Sequence, residues 1–380
     1  MEIKSKLPQT GTTIFTVMSK LATENNAVNL GQGFPNFPMD QALIDLVHKH
    51  MSAGKNQYSP MAGVAELRNA VSSKIQKLYG HTYNPETEIT ITAGATQAIY
   101  TAITAFIHPG DEVILFAPAY DCYAPAIELC GGIPVWINLH YPDYSIDWND
   151  VSNKMNDNTR MIIINTPHNP SGTILSDSDM SHLEKLVSNK NCIVLSDEVY
   201  EHIVFDGHSH QSASLYPNLA SQSLIVASFG KTFHCTGWKT GYIAGPELLI
   251  SEFRKVHQYN VFVCNTSIQY AIAEYLGNEN TYLNLSSFYQ KKRDFFNQRI
   301  AGSRFKWKPS KGTYFQSLCY ETINNENDAD FAIRLTRELK ITGIPCSVFY
   351  PELLDEKVLR FCFAKDDATL ERAATILAGV

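Results

Sequence analysis

Four apolar runs in this chain end in residues able to do chemistry together. In one, the strand-like Ser223-Leu-Ile-Val-Ala leads into Ser228-Phe-Gly-Lys231-Thr-Phe-His-Cys-Thr-Gly237-Trp-Lys239-Thr-Gly241, where two cations bracket a glycine-containing turn. A lysine at the end of a buried strand is costly to place unless it is bonded or has its charge reduced, and a neutral lysine amine attacks aldehydes. A solvated loop lysine is the alternative for this segment taken alone. In the second, Ile193-Val-Leu-Ser-Asp197-Glu-Val-Tyr200, an acid closes a β-branched run and a tyrosine follows three residues later. The third, Arg160-Met-Ile-Ile-Ile-Asn165, runs into Thr-Pro-His-Asn169-Pro170-Ser-Gly172, where the proline holds Asn169 extended within a turn. The fourth, Glu88-Ile-Thr-Ile-Thr-Ala93, is followed by Gly94-Ala95-Thr96-Gln and a helical run from Ala98 to Phe106. Strand, small-residue turn and helix start together present free backbone N–H groups to a phosphate.

One chemistry uses all four ends. An imine between Lys231 and the aldehyde of pyridoxal 5'-phosphate needs a carboxylate beside the pyridine nitrogen to keep it protonated, and Asp197 suits that position. A phenol such as Tyr200 can bond the cofactor's 3-oxygen. Taken singly, Asp197 also reads as a helix N-cap, and Asn169-Pro-Ser-Gly as a plain turn. In open α/β sheets, ligands bind at the carboxyl ends of the strands, where these residues fall.

The elements that would position them alternate between strand-like and helix-like runs from about residue 45 to 270. Glu112-Val-Ile-Leu-Phe116 follows the turn at His108-Pro-Gly-Asp111, and Ile133-Pro-Val-Trp-Ile137 follows Gly131-Gly132. Such alternation implies a mostly parallel sheet wrapped by helices. Beyond about residue 275 a charged helical stretch, Phe288-Tyr-Gln-Lys-Lys-Arg-Asp-Phe-Phe, leads to the strand-like Thr313-Tyr-Phe-Gln-Ser-Leu and Val358-Leu-Arg-Phe-Cys-Phe363, which read as a smaller α+β unit.

These motifs resemble the fold type I, class I and II pyridoxal phosphate-dependent aminotransferases. Leu30-Gly-Gln-Gly-Phe-Pro, Asn56-Gln-Tyr58, Thr92-Ala-Gly-Ala-Thr96, Tyr120-Asp-Cys-Tyr, Lys255-Val-His-Gln-Tyr and Arg360-Phe-Cys-Phe-Ala-Lys extend the resemblance over nearly the whole chain. They are similar to the kynurenine aminotransferase-like branch and, within it, to the bacterial methionine aminotransferases. The resemblance implies an α/β fold with a large domain at 45–272, built on a mostly parallel seven-stranded sheet. It also implies a smaller α+β domain formed by both chain ends, 1–44 and 273–380. Lys231 would hold the cofactor and shuttle a proton between the donor's Cα and the cofactor's C4′. Ser228, Lys239 and the turn at Gly94, Ala95 and Thr96 would bind its phosphate. Lysine stands at 239 where arginine is frequent in the wider superfamily, a point charge in place of a bidentate fork.

Tyr120 would stack on the pyridine ring, or serve as a core aromatic. Arg360 would bind the substrate carboxylate bidentately, or pair with an acid, while Gly33 would let the backbone approach the same carboxylate. Tyr58 and Phe262 match residues donated across a subunit boundary, implying a homodimer with composite sites. Phe15, Tyr58, Tyr120 and Phe262 map to the side-chain pocket, with Asn169 also toward the substrate. No second arginine is evident for a distal carboxylate, so the expected donors are methionine, then aromatic amino acids and glutamine, with aspartate last.

Three look-alikes are set aside. Gly230-Lys231-Thr232 mimics the tail of a P-loop, but Ile225 stands where that motif needs its first glycine. Gly31-Gln-Gly33 lacks the third glycine of a dinucleotide fingerprint and runs into Pro35. His202, His208 and His210 have no evident fourth metal ligand nearby. A β-elimination lyase cleaving a C–S bond is the second reading on the same fold. A DNA-binding regulator is disfavoured because no N-terminal extension is present to carry the extra domain.

Bulk properties agree with an ordinary globular enzyme. At 380 residues, with 44% hydrophobic and 18% charged residues, the chain suits two domains. A net charge of −7 leaves no basic footprint for nucleic acid, and no apolar run approaches the roughly 18 residues of a membrane span. The start, Met1-Glu-Ile-Lys-Ser-Lys-Leu-Pro, has no apolar signal core, and the 8 scattered cysteines form no C-x-x-C pair. Both favour a cytoplasmic enzyme with free thiols.

Overall fold

The computed structural model describes residues 3–8 and 10–380; Met1, Glu2 and Gln9 lie outside the described residues, and with them those parts of the expected 1–44 segment. Val28–Asn29 (β1) is a short strand, and the main sheet begins with Ile89–Thr92 (β2). Glu112–Ala117 (β3), Ile133–Asn138 (β4), Thr159–Asn165 (β5), Ile193–Asp197 (β6) and Ser223–Ser228 (β7) follow, each from one of the apolar runs read above. Gly241–Ala244 (β8) completes seven strands in the order β2-β8-β7-β6-β5-β3-β4. Strands β3 to β7 pair in parallel, and β8 runs antiparallel to both β7 and β2. The fold is therefore α/β on a mostly parallel sheet.

Helices cover both faces, which is why β6 is buried at every position and β7 at all but its last. The helix Asp177–Val187 between β5 and β6 starts at a capping box formed by Ser176 and Asp179. Parallel pairing places strand ends in one row: Asn165 lies opposite Asp197 in register, and Asp197 opposite Val226.

Past the sheet, Phe315–Cys319 (β9), Ile341–Thr342 (β10), Ile344–Pro345 (β11) and Val358–Cys362 (β12) form a second system. β11, β12 and β9 make a three-stranded antiparallel sheet, while β10 pairs in parallel with β1. The N-terminal segment also bonds the C-terminal one through Cys362 N–H to the Leu30 carbonyl, at 2.7 Å. Among the boundaries that differ from the sequence reading, two follow from a positive φ. The strand read from Thr313 begins at Phe315, because Thr313 has a φ of 63° and leaves the extended region. The helix read from Ala98 begins at Ala95, directly after Gly94 with φ 79°.

Candidate active site

The carboxyl ends of β5, β6 and β7 open into a cavity of about 310 Å³. Among its walls are Lys231, Asp197, Tyr200, Asn169, Ser228 and Tyr120. Gly94, Ala95, Thr96 and Lys239 line it on the β2–β8 side, with Phe15, Gly33 and Arg360 opposite. Sequence positions 15 to 360 thus converge on one space. Tyr58 and Phe262 are not among its walls. They form a separate pair at the surface, 81% and 40% exposed, with ring centroids 5.4 Å apart and planes 71° apart. Phe262 has a φ of 69°, a costly backbone state for a bulky residue.

Lys231 sits in the single turn Phe229–Thr232 that closes β7. Its Nζ donates to the Gly33 carbonyl at 3.3 Å and lies 5.7 Å from the ring centroids of Tyr200 and Tyr314. Burial lowers its pKa to about 8; Arg360 and Lys239 push the same way, and Cys362 and Asp197 oppose them. A sizeable fraction of this amine is therefore neutral, and nucleophilic, near pH 8.

Asp197 is 3% exposed at the end of β6. The Tyr123 hydroxyl donates to its Oδ2 at 2.6 Å, and the Val199 N–H to its Oδ1 at 3.3 Å. Burial raises its pKa to about 6 against those two bonds, so the group is mostly an anion at neutral pH. Glu198 turns away from the cavity, accepting from Ser196 Oγ at 2.8 Å and meeting His210 Nε2 at 2.8 Å. That arrangement anchors the turn on which Asp197 and Tyr200 stand. Burial pushes the Tyr200 phenol up, so it is a hydrogen-bond donor at neutral pH.

The helix Ala95–Phe106 aims its N-terminus into the cavity, and its N-cap, Gly94, supplies no side-chain cap. Its first-turn N–H groups are free to take an anion, with Ser228 and Lys239 beside them on the wall. Gly241 is compulsory in this corner: a Cβ there would lie 2.5 Å from the Ala227 carbonyl and 3.3 Å from the Gly94 backbone.

Arg360, 1% exposed on β12, donates from Nη1 to Asn169 Oδ1 at 2.7 Å and from Nη2 to the Gly31 carbonyl at 3.0 Å. Its guanidinium carbon lies 4.0, 5.2 and 5.5 Å from the ring centroids of Phe315, Phe15 and Phe349. Its Nε has no partner, and no carboxylate pairs with it among the described residues. An arginine buried among rings with donors to spare is set to receive a carboxylate from outside.

Sequence reasoning missed Asn165, Tyr123 and Tyr314. Asn165 Oδ1 accepts from the Asn169 N–H at 2.8 Å and its Nδ2 donates to the Asp197 carbonyl at 2.9 Å, locking the Asn169 turn to β6. A strand-end asparagine before Thr-Pro was the available signal. His202 and His210 do not join the cavity; His202 lies beside the buried Lys74–Glu201 ion pair.

Residues 25–377 match the family model for aminotransferase class I and II. The chain belongs to that family. This aminotransferase is 45% identical to the methionine aminotransferase of Escherichia coli K12, over 98% of its own length and 96% of the relative's. A solved E. coli structure, whose reactivity identified a methionine aminotransferase function, superposes with a TM-score of 0.98 at 44% identity, covering 100% of both chains. The N-succinyldiaminopimelate aminotransferase structure from Mycobacterium tuberculosis gives a TM-score of 0.95 at 33% identity, with 100% of both chains covered. Rat kynurenine–oxoglutarate transaminase 1 is 32% identical, over 94% of this chain and 93% of that one. The aminotransferase thus has a family and a fold, type I, that depend on pyridoxal phosphate.

Proposed function

We propose that this aminotransferase binds pyridoxal 5'-phosphate at Lys231 and moves the amino group of methionine, or another apolar or aromatic amino acid, to a 2-oxo acid by a ping-pong cycle. One observation carries the reading. A single cavity gathers a lysine amine of lowered pKa, a buried carboxylate, an uncapped helix N-terminus and an arginine whose Nε is unbonded. That donor set fits the cofactor: an aldehyde, a ring nitrogen and a phosphate each meet a suitable group.

When bound, pyridoxal phosphate supplies an aldehyde carbon and a protonated ring that draws electrons from the donor's Cα. Asp197 would keep the ring-nitrogen proton in place, and Tyr200 would bond the ring oxygen. The N–H groups of Ala95 and Thr96, with Ser228 and Lys239, would hold the phosphate. Tyr120 would stack on the ring face. Arg360 would grip the donor's carboxylate with Asn169 and Gly33 beside it. Freed from the cofactor, the Lys231 amine would take the Cα proton as general base. With Lys231, Lys239 and Arg360 so engaged, no further cation among the described residues lines the cavity, whereas Phe15, Phe315 and Tyr120 supply apolar wall. Methionine's thioether gains from such a wall and aspartate's second carboxylate is left unpaired.

The test is the half-reaction. Holoenzyme mixed with L-methionine and no 2-oxo acid should release one equivalent of 4-methylthio-2-oxobutanoate per site, and aspartate should be the poorest donor by kcat/KM. Ammonia release with a cleaved C–S bond would favour the lyase reading instead. Arg360→Ala should lower kcat/KM for all donors alike, by roughly ten- to hundredfold from the loss of charged hydrogen bonds. Phe15→Ala should reorder the donors. Aspartate as best donor would contradict the pocket reading.

The division into a 45–272 domain and a 1–44 plus 273–380 domain is part of the same proposal, supported by the pairing of β1 with β10. So is a homodimer in which Tyr58 and Phe262 complete the neighbouring site; their exposure and the strained Phe262 backbone support it. Under conditions that exchange subunits, inactive Lys231→Ala protein mixed with impaired Tyr58→Ala protein should regain activity, because one site of each mixed dimer has both residues. Exchange without recovery would mean that each subunit builds its own site. A cytoplasmic location is supported by the cysteines, all 8 of which are free thiols. No helix among the described residues is long and apolar enough to cross a membrane.

A further inference from the structure

The four carbonyls of Gly31 to Phe34 are captured in turn by side-chain donors. Arg360 Nη2 takes the Gly31 carbonyl at 3.0 Å, and Lys365 Nζ takes those of Gln32 and Phe34 at 3.3 and 2.7 Å. The Gly33 carbonyl receives two donors, the Tyr314 hydroxyl at 2.7 Å and Lys231 Nζ at 3.3 Å. A carbonyl oxygen has two lone pairs and can serve both, but the phenol holds the shorter bond and the amine a long one. Tyr314 has no exposed surface and stands perpendicular to Tyr200, at 5.1 Å between centroids and 87° between planes. The same hydroxyl also meets the Tyr200 phenol, and position 33 must stay glycine, because a Cβ there would lie 2.8 Å from Phe315 Cζ.

We propose that Tyr314 is a positioning residue for transamination, fixing through its hydroxyl the Gly33 carbonyl that holds the Lys231 amine. It touches none of the reacting atoms. By orienting the acceptor and sharing its electron density, it keeps the amine placed without binding it so tightly that the ammonium form is favoured. The inference rests on the reading of Lys231 as the general base.

Tyr314→Phe keeps the ring and removes only the hydroxyl, so the variant is expected to fold as the parent does. Three readouts test it. With holoenzyme and methionine, kcat falls about tenfold while KM changes less than about twofold, the mark of a group that matters after binding. The deuterium isotope effect from Cα-deuterated methionine rises, because proton transfer becomes slower.

With cofactor-free protein, the rate of pyridoxal phosphate rebinding is followed against pH. An ammonium gains more than a neutral amine from an acceptor relieved of its other donor, so the midpoint moves upward from about 8, by about half a unit. Of the other groups facing Lys231, Arg360, Lys239, Asp197 and Cys362 are unchanged in the variant, while Tyr200 loses its bond to Tyr314 and, its pKa moving further up, stays a neutral phenol. Tyr289→Phe is the control: that buried hydroxyl has no partner, and its ring lies 5.7 Å from that of Tyr314. It should move none of the three. Tyr314→Phe with parental kcat, isotope effect and rebinding midpoint overturns the proposal. So does a variant whose kcat and KM shift together with a lowered Tm, since that is a packing effect. A parent enzyme that turns over no methionine would instead overturn the functional reading beneath it.

Discussion

Lys231→Ala should leave a folded protein that binds pyridoxal phosphate without the visible absorbance of the lysine-bound form and that transaminates at least roughly 10⁴-fold more slowly. The size follows from the loss of two roles at once. Lys231 is the amine that reaches Gly33 beside Asp197 and Tyr200, and its lowered pKa, about 8, suits it to serve as both nucleophile and base. The neighbouring cation, Lys239, cannot replace it. Lys239 lies after the Thr236–Trp238 turn with a φ of 51°, on the wall shared with Gly94 and Ser228 where a phosphate is expected. The helix N-terminus, Ser228 and the Asp197 carboxylate are unchanged in the variant and should keep the cofactor in place. Retained affinity with lost turnover would separate the chemical role from a structural one. Turnover within tenfold of the parent would mean that another group is the base.

Asp197→Asn should cost roughly 10²- to 10³-fold in kcat, the range found when one preorganised electrostatic contact is removed. The amide is nearly the same shape, and its oxygen can still accept from Tyr123 or Val199, so the fold is expected to survive. What it lacks is the negative charge. Asp197 titrates near 6 in the cofactor-free protein, hence is anionic at working pH, and a cationic ring nitrogen would draw that value lower. Tyr123→Phe gives the graded version. Losing that hydroxyl raises the Asp197 pKa, so activity should be lost at a higher pH on the acid side, with little change at pH 8. A parental kcat in Asp197→Asn at pH 8 would remove the electrostatic role from this residue.

Much of this site is readable from the chain because a parallel sheet converts sequence into geometry. Once the runs ending at Asn165, Asp197 and Ser228 read as neighbouring strands, their carboxyl ends must lie side by side. Gly94 and Thr96 follow from the same rule. The residues that escaped are those whose signal is long-range. Tyr123 reaches Asp197 across 74 residues from the start of a helix, and Tyr314 reaches Gly33 across 281. Neither looks different from a core aromatic when read locally. β8 escaped for another reason: four residues starting at a glycine show too few side chains to reveal a period. Tyr58 and Phe262 were singled out by resemblance alone, and no property of their own segments points to a cavity that their own chain does not let them reach.

Covalent trapping shows which lysine carries the cofactor in this aminotransferase. Holoenzyme is reduced with borohydride, digested with trypsin and mapped by mass spectrometry. One pyridoxyl group per chain is expected, on the peptide running from Asn191 to Lys239 with cleavage blocked at Lys231. A pyridoxyl group on any other lysine, Lys239 included, would contradict it.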